Sequence, residues 1–417
     1  MATLSKSQST APKSKKLALV QKASRSAEIS TIAYRRPIVE ADVTAKVAED
    51  IHTYQLFAQE HELRGVESLD ALARIDLGLR RHGIEGENAF LAVAAGYLTE
   101  RSRSRLHQFP IDRALNLYHS IGSDGQLIHA LEAMASLDPF GRRLSVAYQF
   151  FLGRKFREGS GKFFTPQPVA NAMAKLLPLA PGAVVMDPTC GGGTFLIEAS
   201  ERWRDYPCRL IGNDVDTMLA GLTELVLSLA APLKHSYSVS ASNLYDPNPD
   251  LRELQGQVTG ILANPPFSLP LSSVGYESEL FKLGYRTSDA IFLDVCLDLL
   301  RPNGSLVCLL PHSIIANAEY ETLRRTVEKR WELCGVVTLP EGVFYLTGNT
   351  SARADIVHLK KRKGKSVSVS ETYFSNAPSV GLALNSRRMK SSDNALNDLV
   401  SDPRLMANTQ NVLAGDA

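Results

Sequence analysis

The spacing of apolar residues changes once along this chain, and that change divides it. From residue 38 to about residue 151 they recur at helical intervals, as in Ala89, Phe90, Val93 and Tyr97 or Ile111, Leu115 and Tyr118, with prolines only at Pro110 and Pro139. This predicts several amphipathic helices over 37–152. From about Gly153 onward, short apolar runs of strand length alternate with helical patterns, which predicts a mostly parallel sheet covered on both faces. Strands are expected at 183–187, 209–214, 237–240, 258–263, 305–310, 335–339 and 354–360. Helices are expected at 167–177, 194–203, 217–230, 289–300 and 319–329. The last two strands are joined by a Gly- and Asn-containing loop, 341–353, rather than by a helix, so that pair is predicted to be antiparallel. The fold class is therefore α/β, a seven-stranded mostly parallel sheet at 153–361, preceded by an all-α domain.

Both ends read differently. Residues 1–36 carry Lys6, Lys13, Lys15, Lys16, Lys22, Arg25, Arg35 and Arg36 against the single acid Glu28, a pattern expected of a disordered basic arm. After Lys361, Arg362, Lys363 and Lys365, the stretch to residue 417 is rich in Ser, Asn and Asp. It is expected to be a partly disordered extension. With Lys+Arg 46 against Asp+Glu 44 the net charge is only +2, so any nucleic-acid contact must come from local patches. Arg101, Arg103, Arg105 and His107 form one such patch. The five cysteines, Cys190, Cys208, Cys296, Cys308 and Cys334, have neither Cys-x-x-Cys nor Cys/His spacing, which predicts reduced thiols and no zinc site. No apolar run is long enough to span a membrane, and a soluble cytoplasmic protein is expected.

Chemistry is concentrated where predicted strands end. Asn264-Pro265-Pro266-Phe267 follows the apolar run 259–263, the position at which α/β enzymes place catalytic loops. Its prolines fix the backbone and remove two N–H donors, so the Asn264 side-chain oxygen and the Pro265 carbonyl can accept from one outside donor. A planar exocyclic amine is such a donor, and Phe267 offers a face to the ring that carries it. Cys190-Gly191-Gly192-Gly193 directly follows the first strand and lets backbone approach a nucleotide-like ligand. Asp214, at the end of the second strand, can accept both hydroxyls of a ribose, with Asp216 as its rival. In Gly161-Lys162-Phe163-Phe164-Thr165-Pro166, Thr165 is expected to cap the next helix with Pro166 at its first position. The long segment 268–287, with Tyr276, Phe281 and Tyr285 amid Gly and Ser, lacks periodicity and is expected to act as a lid.

Together these pieces resemble the γ-type N6-adenine DNA methyltransferases, and in particular the modification subunit of type I restriction-modification systems. Gly161-Lys162-Phe163-Phe164-Thr165-Pro166 resembles the family's motif ten, Asp187-Pro188-Thr189-Cys190-Gly191-Gly192-Gly193-Thr194-Phe195-Leu196 its motif one, Gly212-Asn213-Asp214-Val215-Asp216 its motif two, and Asn264-Pro265-Pro266-Phe267 its catalytic motif four. The order ten, one, two, four is the γ order. The segments 300–311 and 339–350 are similar as well. The resemblance implies a Rossmann-like S-adenosylmethionine-dependent methyltransferase fold with no metal. It implies a catalytic set Asn264, Pro265, Pro266 and Phe267 that grips a flipped adenine of double-stranded DNA. The implied cofactor set is Phe164, Thr165, Asp187, Pro188, Thr189, Gly191, Gly193, Thr194, Asp214 and Asn243. Where many relatives carry an acidic residue against the cofactor adenine, this chain has Ala241-Ser242-Asn243-Leu244. The implied partners are a separate DNA-specificity subunit and a nuclease or translocase subunit. Two alternatives share the motif: a methyltransferase acting on a protein glutamine or an RNA guanine amine, and a catalytically silent scaffold of a DNA-bound complex.

Overall fold

The computed structural model describes residues 66–157, 164–344, 352–364, 371–381 and 393–410. The basic arm expected at 1–36, the start of the helical region and Gly161 to Phe163 lie outside them. Eight strands are present among the described residues: β1 (Ala183–Asp187), β2 (Cys208–Asp214), β3 (His235–Ala241), β4 (Val258–Ala263), β5 (Leu300–Pro311), β6 (Trp331–Thr338), β7 (Ala354–Lys361) and β8 (Tyr373–Asn376). They form one sheet in the order β3-β2-β1-β4-β5-β7-β6-β8. β1 to β5 run parallel to one another, whereas β7 is antiparallel to both β5 and β6, as expected for the pair joined through the Gly- and Asn-containing stretch 341–353. The runs at β1 and β4 are almost wholly buried because helices cover both faces. From β1 the chain moves to β2 on one side, while β4 pairs with β1 on the other, so the sheet's switch point lies between β1 and β4.

The eighth strand is a correction. Within the extension expected to be partly disordered over 362–417, Tyr373 to Asn376 pair in parallel with β6 and add an eighth strand to the seven expected. Beyond them Val380, Leu396, Val400 and Leu405 are buried in the same core as Val337 and Ala354. Gly335 of β6 makes room for this packing, since a Cβ there would come within 2.6 Å of Leu405 Cδ1. Four alternately half-covered edge residues are too few to show periodicity in sequence.

Ahead of the sheet lie helices α1 (Val66–Arg81), α2 (Glu87–Ala95), α3 (Ile111–Ser120), α4 (Gly125–Leu137) and α5 (Leu144–Arg157). The helix α5 runs straight through the boundary expected at 152/153. Within the sheet domain, α6 (Gln167–Leu176) leads into β1, and α7 (Thr194–Arg202), α8 (Thr217–Ala230), α9 (Ser288–Leu299) and α10 (Glu321–Arg330) connect the strands. The helical layer does not close a core by itself: Leu72, Phe90, Leu131 and Phe150 share one apolar cluster with Ile197 of α7 and Leu219, Leu222, Leu225 and Val226 of α8. A polar clamp joins the two regions. Buried Glu224 accepts, on one carboxylate oxygen, the consecutive backbone N–H groups of His107, Gln108 and Phe109 at 2.8, 2.7 and 3.2 Å. One turn earlier, Gly221 permits the approach, because a Cβ there would lie 3.0 Å from Phe109 Cα.

Between β5 and β6, His358 of β7 pairs with Val307 and Gly335 and is 1% exposed. Neither ring nitrogen has a hydrogen-bond partner among the described residues. Burial, aided by the charge of Lys360, pushes its pKa down to about 4. The folded imidazole therefore stays neutral while the unfolded one, with an ordinary value near 6.5, protonates as pH falls. Stability from this group is complete above pH 6.5 and declines toward pH 4. The expected loss at pH 5 is about 2 kcal/mol. The substitution His358→Leu should abolish that part of the pH dependence, read as the difference between variant and parent in urea unfolding at pH 7 and pH 5. An equal acid loss in both proteins would rule out His358 as its source.

Candidate active site

The turn after β1 is built by its backbone. Gly191 and Gly193 adopt φ of 51° and 82°, which L side chains rarely tolerate, and a Cβ added at Gly191 would point into open space. Asp187, at the end of β1, is 1% exposed and accepts the Thr189 N–H at 3.1 Å. Burial first, then the nearby charge of Asp214, raises its pKa well above the ordinary carboxylate range. Across the turn, Asp214 at the end of β2 accepts the Gly191 N–H through Oδ2 and the Asp216 N–H through Oδ1, each at 2.9 Å. Asp216 plays a different part, accepting from Met218 and Leu219 as the N-cap of α8.

A cavity of about 280 Å³ opens over the C-terminal ends of β1, β2 and β4. Of the residues expected to bind cofactor, Phe164, Pro188, Thr189, Gly191, Asp214 and Asn243 line it, together with Asn264 and Pro266 of the expected catalytic set. Thr165, Asp187, Gly193, Thr194, Pro265 and Phe267 do not line its wall. Asp187 and Gly193 shape the turn from behind it, and a Cβ at Gly193 would meet Thr223 at 3.2 Å. Sequence reasoning missed Val215, Leu219, Tyr245, the stretch 269–271 and Ser288. Val215, 62% exposed directly after Asp214, is the most legible of these, being an apolar side chain left at a strand end with nothing to pack against.

The segment after β4 is held by hydroxyl groups. Asn264 donates its Nδ2 to Thr165 Oγ1 at 3.1 Å, and Thr189 Oγ1 lies 3.5 Å from the Asn264 carbonyl. Ser288 Oγ donates to the Pro266 carbonyl at 2.6 Å. Between them, the Pro265 carbonyl receives no donor from the described residues. Phe267 is 9% exposed and meets Phe344 edge to face, with centroids 6.3 Å apart at 83°. Thr165 does not cap a helix: Pro166 occupies the N-cap of α6 without a side-chain bond, and Thr165 is turned to Asn264 instead.

The segment 268–287, expected to be a lid, is fastened in this structure. Ser268 N donates to Asp289, Leu269 N to Ser288 Oγ, and Leu271 N to the Arg286 carbonyl. Farther along, buried Asp294 accepts from Ser278 Oγ at 2.6 Å and Leu280 N at 2.9 Å and pairs with Arg330. In the helical region, Arg105 stacks 4.6 Å over the ring of Tyr237 in the first half of β3, away from the strand ends that form the cavity. Among the described residues there is no group of three or more His, Cys, Asp or Glu placed to hold a metal ion, and no helix long and apolar enough to cross a membrane.

Comparison with known proteins adds lineage to this geometry. The family model described as N-6 DNA Methylase matches residues 141–400. The type II methyltransferase M.VspI of Vibrio sp. (strain 343) is 28% identical over 221 residues, covering 51% of this chain and 52% of that protein. The EcoKI methylase subunit, from a type I restriction enzyme of Escherichia coli (strain K12), is 24% identical over 213 residues, or 46% of this chain and 39% of its own length. A probable tRNA (guanine(10)-N2)-dimethyltransferase of Methanothermococcus thermolithotrophicus is 32% identical over 114 residues, 27% of this chain and 68% of that one. The chain thus spans about half or less of the length of the two restriction-system relatives. Among solved structures, the type I restriction-modification system methyltransferase subunit from Streptococcus thermophilus superposes with a TM-score of 0.52 at 20% identity, covering 94% of this chain and 93% of that one, which establishes a shared fold.

The division of labour between the two aspartates is testable through stability. Replacing Asp216 by Ala removes an N-cap and should cost about 1 kcal/mol, whereas Asn, which caps as well, should cost much less. Urea unfolding of the two variants measures this, and equal losses would show that Asp216 is not acting as a cap.

Proposed function

Because the chain belongs to the N-6 DNA Methylase family, we propose that it transfers a methyl group from S-adenosylmethionine to the N6 amino group of adenine in DNA. The observation that carries this reading is that Asn264 and Pro266 line the same cavity as Gly191 and Asp214, at the switch point between β1 and β4. A donor lying over the glycine turn and an amine held by the Asn264 segment would meet there. The residues suit the cofactor: open space above Gly191, the carboxylate of Asp214 on the cavity wall, and the exposed apolar Val215 beside it. When bound, S-adenosylmethionine supplies an electrophilic methyl group.

The chain's own contribution is placement and polarisation. Asn264 Oδ1 and the Pro265 carbonyl accept the two amine hydrogens, which draws the nitrogen lone pair out of conjugation with the ring and directs it into the cavity. The side chains of the catalytic loop are thereby assigned without a covalent enzyme intermediate. Thr189 and Ser288 hold the neighbouring carbonyls, so the loop need not reorganise during the reaction.

Sequence choice is assigned to a separate specificity partner, with a nuclease or translocase as a further member of a restriction-modification complex. Two features support this. The described residues after Lys361 are committed to β8 and to core packing, and Arg105 of the helical region is engaged with Tyr237. A second reading, methylation of a guanine amine in RNA, draws on the 114-residue similarity to the tRNA enzyme. Offering DNA and tRNA in parallel to the same preparation separates the two, since only DNA should be labelled.

Two outcomes are expected. Asn264→Ala should abolish methylation and leave S-adenosylmethionine binding within about threefold, while Asp214→Asn should weaken that binding on the order of a hundredfold. Calorimetry and methyl-transfer assays on both variants check this, and near-normal turnover by Asn264→Ala would refute the assignment. Independently, the purified chain should bind DNA weakly, with an affinity that falls steeply with salt and scarcely depends on sequence. Methylation of one defined site in a mixed DNA pool by the chain alone would argue against a specificity partner.

A further inference from the structure

Thr165 lies outside the cavity wall, yet it contacts the side chain on which the proposed reaction turns. It is 5% exposed and stands two residues before α6, whose Val169 and Met173 are packed in one cluster with Leu262 and Phe267. That shared packing fixes the distance between Thr165 and the end of β4. A β-branched side chain in such a place has little rotamer freedom, so its hydroxyl is a rigid anchor.

An asparagine amide has a donor end and an acceptor end, and half a turn about its last torsion exchanges them. With Oδ1 toward the target it can receive the hydrogens of an amine. With Nδ2 there it would instead offer a hydrogen to a ring nitrogen or a keto oxygen. We infer that Thr165 is a positioning residue: its hydroxyl accepts from the Nδ2 end of Asn264 and anchors the amide, with Oδ1 left to face the target. This departs from the cofactor role implied by resemblance, and it rests on the proposed amine methylation. Three hydroxyls from three segments then act together on the loop, Thr165 setting the side-chain amide while Thr189 and Ser288 hold the carbonyls on either side of Pro265.

The test uses the full chain, with its partners where methylation needs them, and the variants Thr165→Val and Thr165→Ser. Val keeps the shape and removes the hydroxyl; Ser keeps the hydroxyl. At saturating S-adenosylmethionine, Val should lower kcat about ten- to hundredfold with the cofactor Kd changed by less than about threefold, and Ser should restore most of the rate. A large rise in cofactor Kd with kcat preserved would make Thr165 a cofactor ligand and overturn the inference, as would a Ser variant as slow as Val. A readout independent of activity comes from asparagine-labelled protein, in which Asn264→Ala identifies the Asn264 side-chain amide resonance. In Thr165→Val that resonance should shift and its protons should exchange faster with solvent. An unchanged resonance overturns the inference whatever the chain methylates. A changed resonance in a protein that does not methylate adenine upholds the contact and refutes the proposed function instead.

Discussion

One carboxylate at the end of the second strand organises the site. Asp214 draws the N–H of Gly191 toward β2 with one oxygen and the N–H of Asp216 with the other, so the turn after β1 and the start of α8 are fastened to a single point. A 9% exposed acid is costly to bury unless its charge is met by donors, and here the backbone supplies them. The cavity exists because those two loops are held apart at a fixed spacing. Buried Asp187 behind the turn makes a second carboxylate nearby, and burial first, with the charge of Asp214 adding to it, raises its pKa.

The parallel part of the sheet is legible in sequence because its strands are continuous apolar runs: β1 and β4 match expectation to the residue, and β2, β3, β5, β6 and β7 differ from it mainly at their ends. The antiparallel placement of β7 against β6 agrees with what the Gly- and Asn-containing stretch 341–353 predicts in place of a helix. What sequence does not show has a common cause. Thr165 before a proline looks like a helix cap, and only the tertiary position of Asn264, 99 residues later, reveals its other use. Residues 268–287 lack periodicity because they are tied down one bond at a time by Asp289, Ser288 and Asp294, and side-chain anchors of that kind leave no repeat in sequence. The edge strand β8 is invisible for a similar reason, its burial being supplied by partners rather than by its own pattern.

The candidate site divides along the same line. Asn264, Gly191 and Asp214 are identifiable because each needs a particular residue type at a strand end. The apolar lining contributed by Val215, Leu219, Tyr245 and the stretch 269–271 comes from four separate stretches of chain, and its members resemble any other apolar residue until the fold brings them together.

The clamp formed by Glu224 bears on the order in which the molecule is made. The helical layer, beginning with the described residues at Val66, is synthesised first, but its core is completed only by Leu219, Leu222, Leu225 and Val226, and its loop at 107–109 has no acceptor until Glu224 arrives. At about 5–20 residues per second, the ribosome takes several seconds to pass from α5 to the end of α8. For that interval the apolar face that α8 covers stays exposed, and the three amide hydrogens are left to water. The layer thus emerges early but can close its core only once α8 has left the exit tunnel, ahead of most of the sheet.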